Sequence, residues 1–150
     1  MSSVVAFVCI ALGVLATAAG AYTAHLSGGQ AVPPVNTHAQ GTAIFELSSD
    51  GKVLSYRLVV NNIKDVTQAQ IRLAGFGSQG TPVVSLYGGP QMPGPTVGVV
   101  TQGTITAASL TGPLAGRPLS ALINSIQAGG AYVSVGTKVN PPGEVRGPIR

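Results

Sequence analysis

The chain has 150 residues, room for one domain and hardly two. It is 45% hydrophobic and only 8% charged, with 21 Gly, 11 Pro and no Trp, which excludes a solvated helical bundle or a disordered chain and points to a turn-rich β-protein. The formal net charge is +4, but Lys52, Arg57, Lys64, Arg72, Arg117, Lys138, Arg146 and Arg150 are scattered, so the basic stripe of a nucleic-acid binder is missing and no nucleic-acid partner is expected.

The first element is apolar. From Val4 to Tyr22, "VVAFVCIALGVLATAAGAY" carries no charge, and the first charged side chain of the whole sequence is Glu46. Such a run is about as long as one helix crossing a bilayer. Two readings stay open. As a secretory signal it would be released at Ala19-Gly20-Ala21, leaving a chain that starts at Tyr22, although "MSS" lacks the basic residue of a signal n-region. As a retained helix, residues 1–21 would anchor the domain of residues 22–150, and residues 4–22 would contact a membrane or other copies of the chain. Cys9, Gly13, Ala16 and Gly20, with Val5 beside them, would then form a close-packing assembly face. Cys9 is the sole cysteine, so no disulfide forms within the chain.

After Tyr22 the pattern turns to β. "YTAHL" alternates, and "GTAIFELSSDGKVLSYRLVVNNI" reads as a hairpin turned at Asp50-Gly51. Alternation puts Ala43, Phe45 and Leu47 on one face, meeting Leu54, Tyr56, Leu58 and Val60 across the turn. Further strands are predicted at "QAQIRLA", "PVVSLYG", "VGVVTQGTITA", "AYVSVGT" and "GEVRGPI". Short strands at this spacing predict an antiparallel β-sandwich of the Ig-like, Greek-key kind. One helix interrupts them: "PLSALINSIQAGG" spaces Leu119, Leu122, Ile123 and Ile126 helically, with Pro118 at its start and Gly129-Gly130 as its stop. It should lie across one end of the sandwich. The expected core comprises Phe45, Leu58, Ile71, Leu86, Ile105, Leu122, Ile126 and Val133.

Four stretches, "AHLSGGQAVPPV", "VTQAQIRLAGFGSQGTPVVSL", "GTITAASLTGPLAG" and "YVSVGTKVNPPGEVRGPI", resemble in order and spacing the CHRD domain, the repeat module of chordin that also occurs in secreted microbial proteins. The resemblance spans about residues 22–150 and implies an extracellular β-domain with no established reaction. The stretch "SSVVAFVCIALGVLATAAGAY" resembles the N-terminal helix of archaeal type IV pilins and related filament subunits.

Departures from the family pattern bear on chemistry. Microbial members commonly carry His-Ile-His where this chain has Gln70-Ile71-Arg72, and Val-His-Thr where it has Val135-Gly136-Thr137. Two histidines at i and i+2, with a third from a neighbouring strand, would suit a metal; Gln70, Arg72 and Gly136 do not, and no metal or cofactor is expected. The acid of the family's "Q-E-V-P-P" is replaced by Ala31. His25 and His38 are unlinked and are read as structural, Asp50 as a turn residue, and Glu46 and Asp65 as solvated charges. Glu144 is expected to form a structural ion pair with Arg146 or Arg72 rather than to act as a catalytic acid, since no second carboxylate or nucleophile accompanies it. No catalytic-triad order, P-loop, CxxC or N-glycosylation sequon appears. The expectation is a non-enzymatic protein of the cell surface or exterior: a self-assembling, pilus-like filament subunit, or alternatively a secreted or anchored adhesion module.

Overall fold

The computed structural model describes residues 20–73 and 80–150. Eight strands follow one another: β1 (Gly20–Ser27), β2 (Gln40–Leu47), β3 (Leu54–Lys64), β4 (Val66–Leu73), β5 (Thr81–Tyr87), β6 (Pro95–Ile105), β7 (Ala131–Thr137) and β8 (Val145–Pro148). Among the described residues one α-helix, α1 (Leu119–Gln127), sits between β6 and β7.

The β2–β3 hairpin forms in the expected register, with Leu47 opposite Leu54, Phe45 opposite Tyr56 and Ala43 opposite Leu58. Its turn is held locally. Asp50 Oδ1 accepts from Ser48 Oγ at 2.6 Å and from Lys52 N at 3.0 Å, and Gly51 takes φ 73°, a value costly for a residue with a Cβ. The hydrogen bonds hold the Asp50 carboxyl below its ordinary value, Ser48 contributing most.

The two-sheet, Ig-like sandwich expected from the sequence is not what the chain forms. All eight strands belong to one antiparallel sheet in the order β5-β4-β7-β8-β1-β2-β3-β6. The sheet curls until its outer strands meet, so that Tyr56 Oη and Thr101 Oγ1 both donate to the Leu86 carbonyl, at 3.1 and 3.0 Å. The physical cause is bulging. Register shifts between Leu58 and Val59 and between Val60 and Ile63 bend β3 against β6, and two more bend β4 against β5. Asp65 makes the sharp corner between β3 and β4, which lie in opposite halves of the sheet. Its φ is 56°, its Oδ1 accepts from Gly94 N at 2.9 Å, and its carbonyl accepts from Lys138 N.

Inside the curl every expected core residue is buried, with Phe45, Leu58, Ile71, Leu122 and Val133 at 0% exposure. The buried side of α1 (Leu119, Leu122, Ile123 and Ile126) joins that core, and Gly129 with φ 80° follows its end. Gln127 Nε2 reaches Tyr22 Oη at 3.4 Å, which sets the end of the helix beside β1.

β1 starts at Gly20, so Gly20 and Ala21 are strand residues paired with Leu47 and Glu46 rather than the end of an apolar helix. The remaining assembly positions, Val5, Cys9, Gly13 and Ala16, and the N-terminal helix itself lie outside the described residues. Among those described, no helix is long and apolar enough to cross a membrane.

Candidate functional site

Alternation places Ala69, Ile71, Val133 and Val135 toward the core, so Gln68, Gln70 and Arg72 of β4, Tyr132, Ser134 and Gly136 of β7 and Arg146 of β8 face outward. The three positions singled out from the family pattern do share this face: Gln70 pairs with Ser134, Arg72 with Tyr132, and Gly136 with Gln68. What occupies the place of a side chain at Gly136 is backbone. A Cβ there would lie 2.6 Å from the Pro141 carbonyl oxygen, because the Lys138–Glu144 loop folds back over β7. Gln68 Nε2 donates to that same carbonyl at 2.9 Å, and Ser134 Oγ donates to the Pro142 carbonyl at 3.3 Å.

Glu144 closes this loop. Its carboxylate accepts from Thr37 Oγ1 at 2.9 Å, Thr137 Oγ1 at 2.9 Å and Asn140 Nδ2 at 3.2 Å, so it ties together the approach to β2, the end of β7 and the loop itself. The ion pair expected from the sequence is not the arrangement found. Glu144 precedes β8, and the loop turns it toward hydroxyls and an amide while Arg146 goes elsewhere.

Arg146 is the unusual residue. It sits between Ser134 of β7 and Ser27 of β1 and is 4% exposed, although the sequence gives it the look of a surface cation. Its guanidinium carbon lies 4.2 Å from the centroid of the Tyr132 ring, a cation–π contact that contributes about 2 kcal/mol when desolvated. Its Nε has no hydrogen-bond partner. Burial lowers its pKa; Tyr132 offsets part of that and the charge of Arg72 adds to it. Arg72, which donates to Gly80 O at 3.2 Å and Gln70 Oε1 at 3.0 Å, likewise has an unpartnered Nε and a pKa lowered by burial.

Arg146 is covered by a thin strap, Gly28–Val35, not by the core. Gln30 Nε2 anchors the strap to the His25 carbonyl and Ser27 Oγ, both at 3.0 Å, and Val35 N returns to the Gly28 carbonyl at 2.9 Å. Between strap and sheet, an open cavity of about 560 Å³ is lined by Tyr132, Arg146 and Arg150 together with Pro34, Pro148 and Ile149. A second, smaller space also lined by Arg146, with Ala31, Ser134 and Gly143, has about 10 Å³, room for a single water at most.

A family model described as the CHRD domain matches residues 22–149. The chain belongs to the CHRD family. No curated protein and no solved structure matches it. Within this CHRD domain His25 and His38 are both exposed, and among the described residues no three of His, Cys, Asp and Glu gather as a metal would require. Sequence reasoning missed the acid-free burial of Arg146. The signal for it was the imbalance of eight basic against four acidic residues, with Ala31 standing where the family pattern carries an acid.

Proposed function

We propose that the protein is a non-catalytic extracellular or cell-surface structural subunit whose CHRD domain is joined directly to an apolar segment that associates with other copies of the chain in a pilus-like filament. The observation that carries this reading is the start of β1. Release at Ala19-Gly20-Ala21 would cut inside the strand and remove two of its eight ladder pairs, Gly20 with Leu47 and Ala21 with Glu46. A retained segment leaves the described strand whole. The employment of the acids supports the non-catalytic part. Asp50 serves its turn, Asp65 its corner and Glu144 its loop, while Glu46 is exposed on β2. Three of the four carboxylates are thus committed to structural hydrogen bonds, and Glu46 alone is left free for the proton exchange that acid–base catalysis needs.

The test is the N-terminus of the protein isolated from cells, read by intact mass. A chain beginning at Met1 or close to it supports the reading, and a chain that has lost the apolar run, with Tyr22 as first residue, sinks it. Gly13→Leu with Ala16→Leu should abolish filaments seen by electron microscopy while the circular dichroism of the β-domain is kept. A second reading, a binding or adhesion module, is favoured by the cavity at Arg146.

A further inference from the structure

We propose that the cavity beneath the Gly28–Val35 strap is a binding site for an organic monocarboxylate, with Arg146 pairing to the carboxylate and Pro34, Pro148 and Ile149 packing on the apolar body of the ligand. The inference needs only the folded domain and stands apart from the filament reading.

A buried guanidinium without an acid is costly, since removing such a charge from water is repaid only by a well-placed counter-charge and further hydrogen bonds. Here no Asp or Glu side chain supplies the counter-charge. Three of the four acids are hydrogen-bonded elsewhere, Glu46 is exposed on β2, and the groups that act on Arg146 are Tyr132 and the like charge of Arg72. The Tyr132 ring covers one face of the guanidinium and its Nε is buried without a partner, so an anion would have to lodge against the planar edge of the group inside the cavity rather than approach it from open solvent. That edge suits the two oxygens of a carboxylate.

The walls choose among anions. A phosphate or sulfate needs many donors around several oxygens. The cavity offers Arg146 and, at its rim, Arg150, while the Gln30 amide already donates to His25 and Ser27. The rest of the lining is largely aliphatic and proline surface, which favours a ligand with one charge and an apolar remainder. A volume of about 560 Å³ lies within the ordinary range for small-molecule sites.

The experiment titrates the full chain, labelled with 15N in arginine, with sodium benzoate at low salt, using benzamide and sodium sulfate as controls and following the Nε–Hε resonances. Benzoate should shift the Arg146 signal saturably with a Kd of about 1 mM or tighter. Arg146→Lys should weaken binding at least about tenfold by losing the fork while keeping the charge. Ala31→Glu, which puts an acid against the guanidinium from within the strap, should abolish it. Should that variant fail to fold, Arg146→Met serves, because exchange of an unpaired buried charge for an apolar side chain should leave the melting temperature unchanged or higher while removing binding. The titration is repeated with N-acetylphenylalanine, and tighter binding than benzoate identifies a peptide carboxyl terminus as the source of the carboxylate. No saturable shift with benzoate, an equal shift with benzamide, tighter binding of sulfate than of benzoate, or full binding by Arg146→Lys would each overturn the proposal.

Discussion

Glu144→Ala tests how the cover over the outward face is held. The substitution removes one acceptor group from three donors on three segments: Thr37, Thr137 and Asn140, at 2.9, 2.9 and 3.2 Å. Hydrogen bonds to a charged group contribute about 1.5–3 kcal/mol each when buried, and Glu144 is only half-buried, so about 1 kcal/mol apiece and about 3 kcal/mol together is the working figure. For a domain of this size that corresponds to a fall of about 10 °C in Tm. Glu144→Gln keeps an acceptor for Thr137 and Asn140 and presents an amide to the Thr37 hydroxyl, which can turn to accept, so its loss should be about 1 kcal/mol. The assay is thermal unfolding followed by circular dichroism at low and high salt. A hydrogen-bonded hub predicts a loss nearly independent of salt, whereas an ion pair with a guanidinium would be screened. A Tm for Glu144→Ala equal to that of the native chain, or a Glu144→Gln variant as damaged as the alanine variant, would refute the reasoning.

Leu122→Ala and Ile126→Ala remove side chains that are 0% and 2% exposed, and each should cost about 2–5 kcal/mol in denaturant unfolding. Gly136→Ala places a Cβ 2.6 Å from the Pro141 carbonyl oxygen, so it should cost about 1–3 kcal/mol, with amide shifts in NMR spectra confined to β7 and the Lys138–Glu144 loop. Asp50 is held below its ordinary 3.8, so its contribution is present above that pH and is lost as the pH falls through the folded value. Asp50→Asn should therefore flatten the stability curve on the acid side of about pH 4 and leave its neutral shape unchanged.

Local features of the fold were legible where local forces decide them. The Asp50-Gly51 pair and the alternation on both sides specify the β2–β3 register, because a slip by one residue would turn Phe45 and Leu58 to solvent. Helical spacing with Pro118 and Gly129 specifies α1 in the same way. Closure of the sheet was not legible. It follows from bulges at Leu58/Val59 and Val60/Ile63 and from the pairing of β4 with β7 more than sixty residues later, neither of which leaves a mark in hydrophobic period. The site was half legible. Glu144 and Arg146 stand two apart, which on one continuous strand would aim both side chains at one face, but β8 begins only at Val145, and the turn before it separates the two.

Two of the positions that depart from the family pattern, Gly136 on β7 and Ala31 in the strap, are structurally linked. Gly136 lets the Lys138–Glu144 loop descend onto β7, since any side chain there would strike the Pro141 carbonyl. The descended loop brings Gly143 against Ser134 and lines the small space beside Arg146, while Ala31 of the strap lines its other wall. Glu144 then fastens this loop, through Asn140 and Thr137, to Thr37 just beyond the strap. The face on which histidines could have gathered is thus roofed by backbone. Its one buried charge has an aromatic ring on one side and a like charge nearby. A roof that is packed by glycine and tied by one carboxylate, set over a guanidinium with no Asp or Glu beside it, is suited to the anion site proposed above rather than to a metal, because the side chains that line that cavity include two cations and no Asp, Glu, His or Cys.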